Sequence, residues 1–245
     1  MKINVKKFKT FIQKATLNNS ITNVRIMVDG DSIKSSMIGQ GCITIVDLKN
    51  DIIGGIPYEV EMNFNEPKQH LETYLDLIDD EMAEIDIKDQ KIILKSGRQK
   101  SNIFYCSQHI TTYYNGTEPK SIGETFHTFK LDNSFLEVYD KIRKIAGKFN
   151  KVYFSVENNE FYMETTDKTN KFSNGIKFAL SGVVYKDVSL CFDFKNINAL
   201  MTIVAEEADK FTVSFRWVEA QKGGMLSLEK DDGSEKYYIV THKEE

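Results

Sequence analysis

The stretch Val5-Lys6-Lys7-Phe8-Lys9-Thr10-Phe11-Ile12-Gln13-Lys14-Ala15-Thr16-Leu17 decides the reading of the fold. Its apolar residues Val5, Phe8, Phe11, Ile12 and Ala15 recur at helical spacing and form one stripe, with Lys6, Lys7, Lys9 and Lys14 off it. This predicts an amphipathic helix over 5–17. Beyond Leu17 the period changes. Residues 23–29 (NVRIMVD) alternate, Asp29-Gly30-Asp31 supplies a turn, and 32–38 and 42–48 alternate again, as in an antiparallel meander.

The same order then restarts. After a strand-like run at 58–64, Asn65-Glu66-Pro67 reads as an N-cap with proline in the first helical turn, opening a second helix with Leu71, Tyr74, Leu75 and Ile78 on its apolar face. Strands are predicted at 82–87, 91–95 and 100–106. From 107 to 125 the periodicity fails, and Asn115-Gly116-Thr117-Glu118-Pro119 is turn chemistry. Beyond it come a strand at 126–131 and a helix at 134–149, capped by Asp132 or Asn133, with apolar face Phe135, Val138, Ile142, Ile145 and Phe149. Strands at 152–156, 160–166, 176–180 and 188–194, a fourth helix at 197–208, and strands at 210–217, 225–229 and 236–241 complete the chain.

Val5, Phe8, Ile12 and Ala15 superpose on Phe135, Val138, Ile142 and Ile145 at an offset of 130, and Val24, Val28 and Ile33 superpose on Val152, Val156 and Phe161 at 128. The second helices, opening near 66 and 197, differ by about 131. A near-constant offset over this length marks a tandem duplication. The expected organisation is therefore a first domain over 1–107, a linker over 108–125 and a second domain over 126–245, in an α+β fold of duplicated strand-helix-three-strand units.

Composition agrees with a folded chain: of 245 residues, 41% are hydrophobic and 28% charged, with only 3 prolines, which excludes disordered and collagen-like classes. Cys42, Cys106 and Cys191 lie far apart in strand-like runs and lack the paired spacing of a disulfide framework or zinc knuckle. They read as core thiols in a reducing compartment. No run approaches the roughly 20 apolar residues of a membrane span, so a cytoplasmic location is expected.

The net charge of −4 argues against nucleic-acid binding until its distribution is considered. Helix 5–17 carries four lysines and no acid, and helix 134–149 carries Lys141, Arg143, Lys144 and Lys148 against Glu137 and Asp140. These two helices hold +6, leaving −10 on the rest. Lys141, Lys144 and Lys148 fall within about 60° of one another on the helical wheel. A basic surface on an acidic body suits contact with DNA phosphates without sequence readout.

Catalytic signals are weak. There is no glycine-rich phosphate loop, HExxH, GxSxG or CxxC, and His70, His109, His127 and His242 lack ligand spacing. Asp29 with Asp31, Glu59 with Glu61, and Asp79-Asp80-Glu81 are the carboxylate groupings that a magnesium-dependent nuclease could use, but the first flanks a hairpin glycine and the last fits a helix end or loop. Neither enzyme activity nor a metal or cofactor is expected.

The duplicated pattern with a basic first helix per domain, Ile33-Lys34-Ser35-Ser36-Met37 with the strand to Leu48, and the ending Glu235-Lys236-Tyr237-Tyr238-Ile239-Val240-Thr241-His242-Lys243-Glu244-Glu245 together resemble the two-domain DNA sliding clamps. These are the proliferating cell nuclear antigen and T-even phage type, and the codon bias behind 28 lysines and 25 isoleucines fits a bacteriophage origin. The resemblance implies a DNA-clamp fold and a homotrimeric ring in which helices line the hole and antiparallel sheets lie outside. The function it implies is that of a DNA replication processivity factor, which encircles double-stranded DNA, is placed there by a clamp loader and tethers a DNA polymerase.

It further implies that Lys6, Lys7, Lys9, Lys14, Lys141, Arg143, Lys144 and Lys148 face DNA. Met37, Ile45, Ile122, Met225, Tyr238 and Val240 line a pocket for partner peptides. Subunits pair through edges near Lys100, Ile103 and Tyr105 and near Phe161, Met163 and Thr165. The alternative reading is a non-ring interaction or structural protein with a clamp-like duplicated sheet.

Overall fold

The computed structural model describes the chain apart from residues 57, 89, 108–110, 116–118, 120–121, 169, 171–172 and 243–245. His109, the centre of the expected turn at Gly116-Thr117-Glu118 and the last three residues of the chain therefore lie outside the described residues. The chain divides into two compact units, Met1–Gly116 and Thr117–Glu245.

The first unit runs β1 (Lys2–Asn4), α1 (Val5–Ala15), β2 (Asn23–Val28), β3 (Ser32–Gly39), β4 (Cys42–Lys49), β5 (Ile53–Gly54) and β6 (Val60–Asn65). A π-helical turn (Lys68–Glu72) then leads into a short α2 (Thr73–Leu75), followed by β7 (Met82–Lys88), β8 (Lys91–Ser96) and β9 (Gln99–Phe104). Its strands form two antiparallel arrays, β5-β1-β7-β8-β9 and β4-β3-β2-β6. Asn4 caps α1 by accepting the Lys7 N–H at 3.0 Å, and the predicted stripe Val5, Phe8, Phe11, Ile12 and Ala15 is buried. Each large apolar side chain in it contributes about 1.5–3 kcal/mol.

The helix stops at Ala15 rather than Leu17. Leu17, Asn18 and Asn19 all adopt positive φ, a conformation no right-handed helix accommodates. The predicted second helix is also shorter. Its opening turn is π-helical, and the extra residue per turn rotates the later positions, so Leu71, Leu75 and Ile78 are buried while Tyr74 faces solvent.

The second unit runs β10 (Glu124–Lys130), α3 (Asn133–Phe149), β11 (Lys151–Glu157), β12 (Glu160–Thr165), β13 (Ile176–Gly182) and β14 (Val188–Asp193). It continues through α4 (Phe194–Val204), a 3-10 turn (Ala205–Lys210), β15 (Phe211–Val218), β16 (Gly223–Lys230) and β17 (Glu235–Val240). The arrays are β10-β15-β16-β17 and β13-β12-β11-β14. Between them lies an aromatic core in which Phe154 meets Phe161, Phe192 and Phe215 at centroid distances of 6.0, 5.8 and 4.7 Å. Gly224 lets β16 approach β15, since a Cβ there would sit 2.0 Å from the Arg216 carbonyl oxygen.

Asp132 caps α3 by accepting the Phe135 N–H at 2.8 Å, an interaction that lowers the pKa of its carboxyl. The buried stripe is Phe135, Tyr139, Ile142 and Ala146, so Val138, Ile145 and Phe149 flank it half-buried. The shift follows α4. Tyr139 donates its hydroxyl to Asn198 Oδ1 at 2.8 Å, which satisfies a polar atom the core otherwise penalises.

The duplication is visible in chain lengths. α1 and α3 each begin 18 residues before the next strand, although α1 has 11 residues and α3 has 17. A longer helix in the second unit replaces the loop that follows α1 in the first.

Candidate nucleic-acid interface

Both helices carry basic residues off their buried stripes. On α1, Lys6 and Lys7 are exposed, and Lys9 and Lys14 lie in the range from half-buried to exposed. On α3, Lys141, Arg143, Lys144 and Lys148 fall outside the buried stripe. Some of this charge has local partners. Lys7 pairs with Asp51 and Lys9 with Asp76, while Arg143 Nε lies 2.8 Å from Asp140 and Lys141 sits 5.6 Å over the Phe178 ring. Exposed pairs of this kind are worth about 0–1 kcal/mol and exchange readily for a phosphate. The acidic partners of α1 come from loops distant in sequence, which a helical wheel does not reveal.

The six pocket positions divide by exposure. Met37, Met225 and Tyr238 are buried in their own units, Ile45 is half-buried, and Ile122 and Val240 are exposed. Met37 has a specific local role: the β2–β3 ladder pairs Met27 with Lys34 and Val28 with Ile33, and beyond it the Met37 sulfur accepts the Arg25 N–H at 3.2 Å. The Ser36 carbonyl accepts from the Tyr114 N–H at 2.9 Å.

Residues 111–114 are thereby tied to the first unit. Thr111 donates to Asn63 Oδ1 at 2.8 Å, Tyr113 bridges Met37, and the Arg25 guanidinium lies 4.2 Å over the Tyr113 ring while pairing with Glu61 at 2.8 Å. Sequence reasoning misses this Arg25–Glu61–Asn63–Thr111 set. Its one signal is the alternation of polar residues on the outer faces of two strands 36 residues apart.

The two strands expected at subunit edges differ in their pairing. β9, carrying Lys100 and Ile103, ends its array and is paired with β8 alone among the described residues; Tyr105 follows it and donates its hydroxyl to the Lys88 carbonyl at 2.6 Å. β12, carrying Phe161, Met163 and Thr165, is not an edge. It is paired with β11 on one side and β13 on the other, and all three side chains are buried. The edge is β13, because the meander continues for one more strand before the chain returns as β14 beside β11.

The carboxylate groupings are taken up by local structure. Asp29 Oδ1 accepts the N–H groups of Asp31 and Ser32 at 2.8 and 2.6 Å, which lowers its pKa and fixes the turn. Asp80 binds Ser96, and Glu81 accepts from Asn4 Nδ2 at 3.2 Å. Among the described residues no three His, Cys, Asp or Glu side chains converge, and no helix is long and apolar enough to cross a membrane.

No protein-family model matches the sequence, and no curated protein matches it. The fold, however, matches solved structures along its whole length. Against the DNA polymerase sliding clamp from Bacillus subtilis the TM-score is 0.70 at 12% identity, covering 100% of this chain and 64% of that one. Against the beta subunit from DNA polymerase of Streptococcus pyogenes it is 0.64 at 14% identity, covering 100% and 66%. Against A. fulgidus PCNA, solved with the C-terminal region of FEN-1 bound, it is 0.65 at 12% identity, covering 100% and 98%. The chain thus spans about two thirds of the bacterial clamps and nearly all of the A. fulgidus protein. Its fold is the sliding-clamp fold, helices with antiparallel sheets in duplicated units.

Proposed function

We propose that this chain is a DNA sliding clamp, a non-catalytic processivity factor that encircles duplex DNA and tethers a polymerase. The observation that carries the reading is the pair of lysine-bearing faces on α1 and α3, equivalent helices of a duplicated clamp fold in a protein whose remaining residues are acidic on balance. Lys6, Lys7, Lys9, Lys14, Lys141, Arg143, Lys144 and Lys148 give weak, sequence-independent phosphate contacts, and closure of a ring supplies the residence time that those contacts lack.

Three copies form the ring. Two clamp units per chain and near-complete overlap with A. fulgidus PCNA support this count. The subunit contact is head-to-tail between the β9 and β13 edges, a heterologous pairing that closes when the rotation per copy divides a full turn. A clamp loader opens the ring, and partner proteins insert hydrophobic side chains beside Ile122, Val240 and Ile45, over a floor that includes Met37, Met225 and Tyr238. The working location is the cytoplasm, that of the host cell for a phage-encoded protein.

The test is retention. Loaded on a closed DNA circle, the protein stays through a high-salt wash and is released when the circle is cut. Release from closed and cut circles at the same salt overturns the ring.

A further inference from the structure

Two bulges face each other in the second unit. β10 pairs with β15 through Thr125–Arg216 and then His127–Phe215, leaving Phe126 as the extra residue, and β13 pairs with β12 through Phe161–Ser181 and then Tyr162–Ala179, leaving Leu180 extra. Bulges at sheet edges re-aim side chains. Here they bring His127 Nε2 to 3.0 Å from Ser181 Oγ, a hydrogen bond joining the edge strands of two different arrays. The imidazole packs 4.6 Å from the Phe161 ring and 5.0 Å from that of Phe129, beside a cavity of about 150 Å³ whose lining includes Phe135 and Leu180.

The first unit closes the same seam with backbone. There β5 pairs with β1, the Asn4 N–H reaches the Ile52 carbonyl at 2.8 Å, and Ile52 and Ile53 are buried. Residues 50–59, with β5 among them, join β4 to β6, whereas only residues 183–187 join β13 to β14. That shorter link supplies Tyr185, which stacks 5.0 Å from Phe126 and donates to Glu124 at 2.9 Å, but no strand along β10. A side-chain hydrogen bond stands where the duplicate has a ladder.

We propose that His127 and Ser181 form a pH-sensitive latch: the neutral imidazole ties the β13 edge to β10, and protonation releases that edge. The latch concerns the strand through which subunits pair, so its bearing on ring closure rests on the clamp reading. Burial lowers the His127 pKa from its ordinary 6.5, so the proton binds more tightly once the seam opens. The closed seam is therefore favoured above the open-state pKa, and that preference is lost as pH falls through the depressed value. The charged groups at the cavity are Lys130 of β10, paired with Asp231, and Asp132, engaged as the α3 cap. β12 presents Phe161, β13 Leu180 and Ser181, α3 Ser134 and Phe135, and β15 places Phe215 opposite.

Hydrogen exchange of residues 176–182, corrected for intrinsic rates, reads the latch in the full chain. Between about pH 7.5 and about pH 5.5, protection in the unmodified protein is expected to fall about tenfold, and in His127→Phe to stay constant. Ser181→Ala, which keeps the imidazole, is expected to show the acid-level protection already at neutral pH. An equal fall in His127→Phe and the unmodified protein, or full protection in Ser181→Ala, overturns the latch. Sedimentation of the same samples separates the two readings: a monomer with the pH response intact overturns the ring alone, and a trimer without it overturns the latch alone.

Discussion

Lys230 Nζ lies 2.9 Å from Glu235 Oε1, and that carboxylate belongs to a completely buried side chain. The Tyr237 hydroxyl donates to the other oxygen at 2.8 Å, and Lys230 also reaches Glu207 Oε2 at 2.9 Å. The network ties the β16–β17 hairpin to the 3-10 turn after α4.

Removing one member of this network strands the other charges. Lys230→Met is expected to cost about 3 kcal/mol or more, because an uncompensated buried carboxylate remains, whereas Lys230→Met with Glu235→Leu is expected to recover much of that loss. Urea unfolding measures both. Burial opposes the charge on Lys230, but Glu207 and Glu235 outweigh it and raise the lysine pKa above 10.5. Its contribution is thus full below that pH and lost as pH rises through the raised value; Tyr237, pushed up first by burial and then by Glu235, adds to the alkaline loss. The decline in stability at alkaline pH should be shallower in Lys230→Met.

Charge and topology separate on DNA circles. Changing Lys6, Lys9, Lys141, Lys144 and Lys148 to Ala is expected to reduce loading at least several-fold and to flatten its dependence on salt, by about 0.9 in slope for each phosphate no longer neutralised. Retention of the molecules that do load should change little. Normal loading by the variant assigns these faces to solubility.

Phe104 is 68% exposed at the end of β9, a strand paired on one side among the described residues. In a free chain Phe104→Glu is expected to alter stability by less than about 0.5 kcal/mol, and in a ring to shift the protein toward monomer. Sedimentation across a concentration range, alongside the melting temperature, distinguishes the two.

Truncations in the partner region should fall into two groups. Met37→Ala and Tyr238→Ala remove buried volume and are expected to cost about 2–5 kcal/mol in stability. Ile122→Glu and Val240→Glu, at exposed positions, are expected to leave the melting temperature unchanged and abolish polymerase stimulation. Stimulation that survives both charged variants places the partner site elsewhere.

Periodicity is the part of this fold that is legible in the sequence. The stripe of α1, the Asp29 turn, the Asp132 cap and the order of elements in both units follow from spacing and turn chemistry. The order of strands within an array does not, because a period of two marks a strand without naming its neighbours; hence the sequence points to β12 at an edge that belongs to β13. The π-helical turn at Lys68–Glu72 has no periodic signature over so few residues, so an α-helical wheel puts Tyr74 inside. Tyr139 escapes the reading because its burial depends on a hydroxyl partner, Asn198, 59 residues away. The α1 lysines are legible as a basic face, but their pairing with Asp51 and Asp76 depends on the tertiary structure.

The exchange of loop for helix after the first strand of each unit has a geometric result. At 1.5 Å per residue, α1 is about 17 Å long and α3 about 26 Å. In a ring of three copies, short and long rods alternate around the bore, so the pseudo-sixfold arrangement of the duplicated units is reduced to a true threefold one. A duplex threading that bore meets three long tracks rather than six equal ones, and their spacing, not the total charge, sets the phase with which the clamp follows the DNA helix.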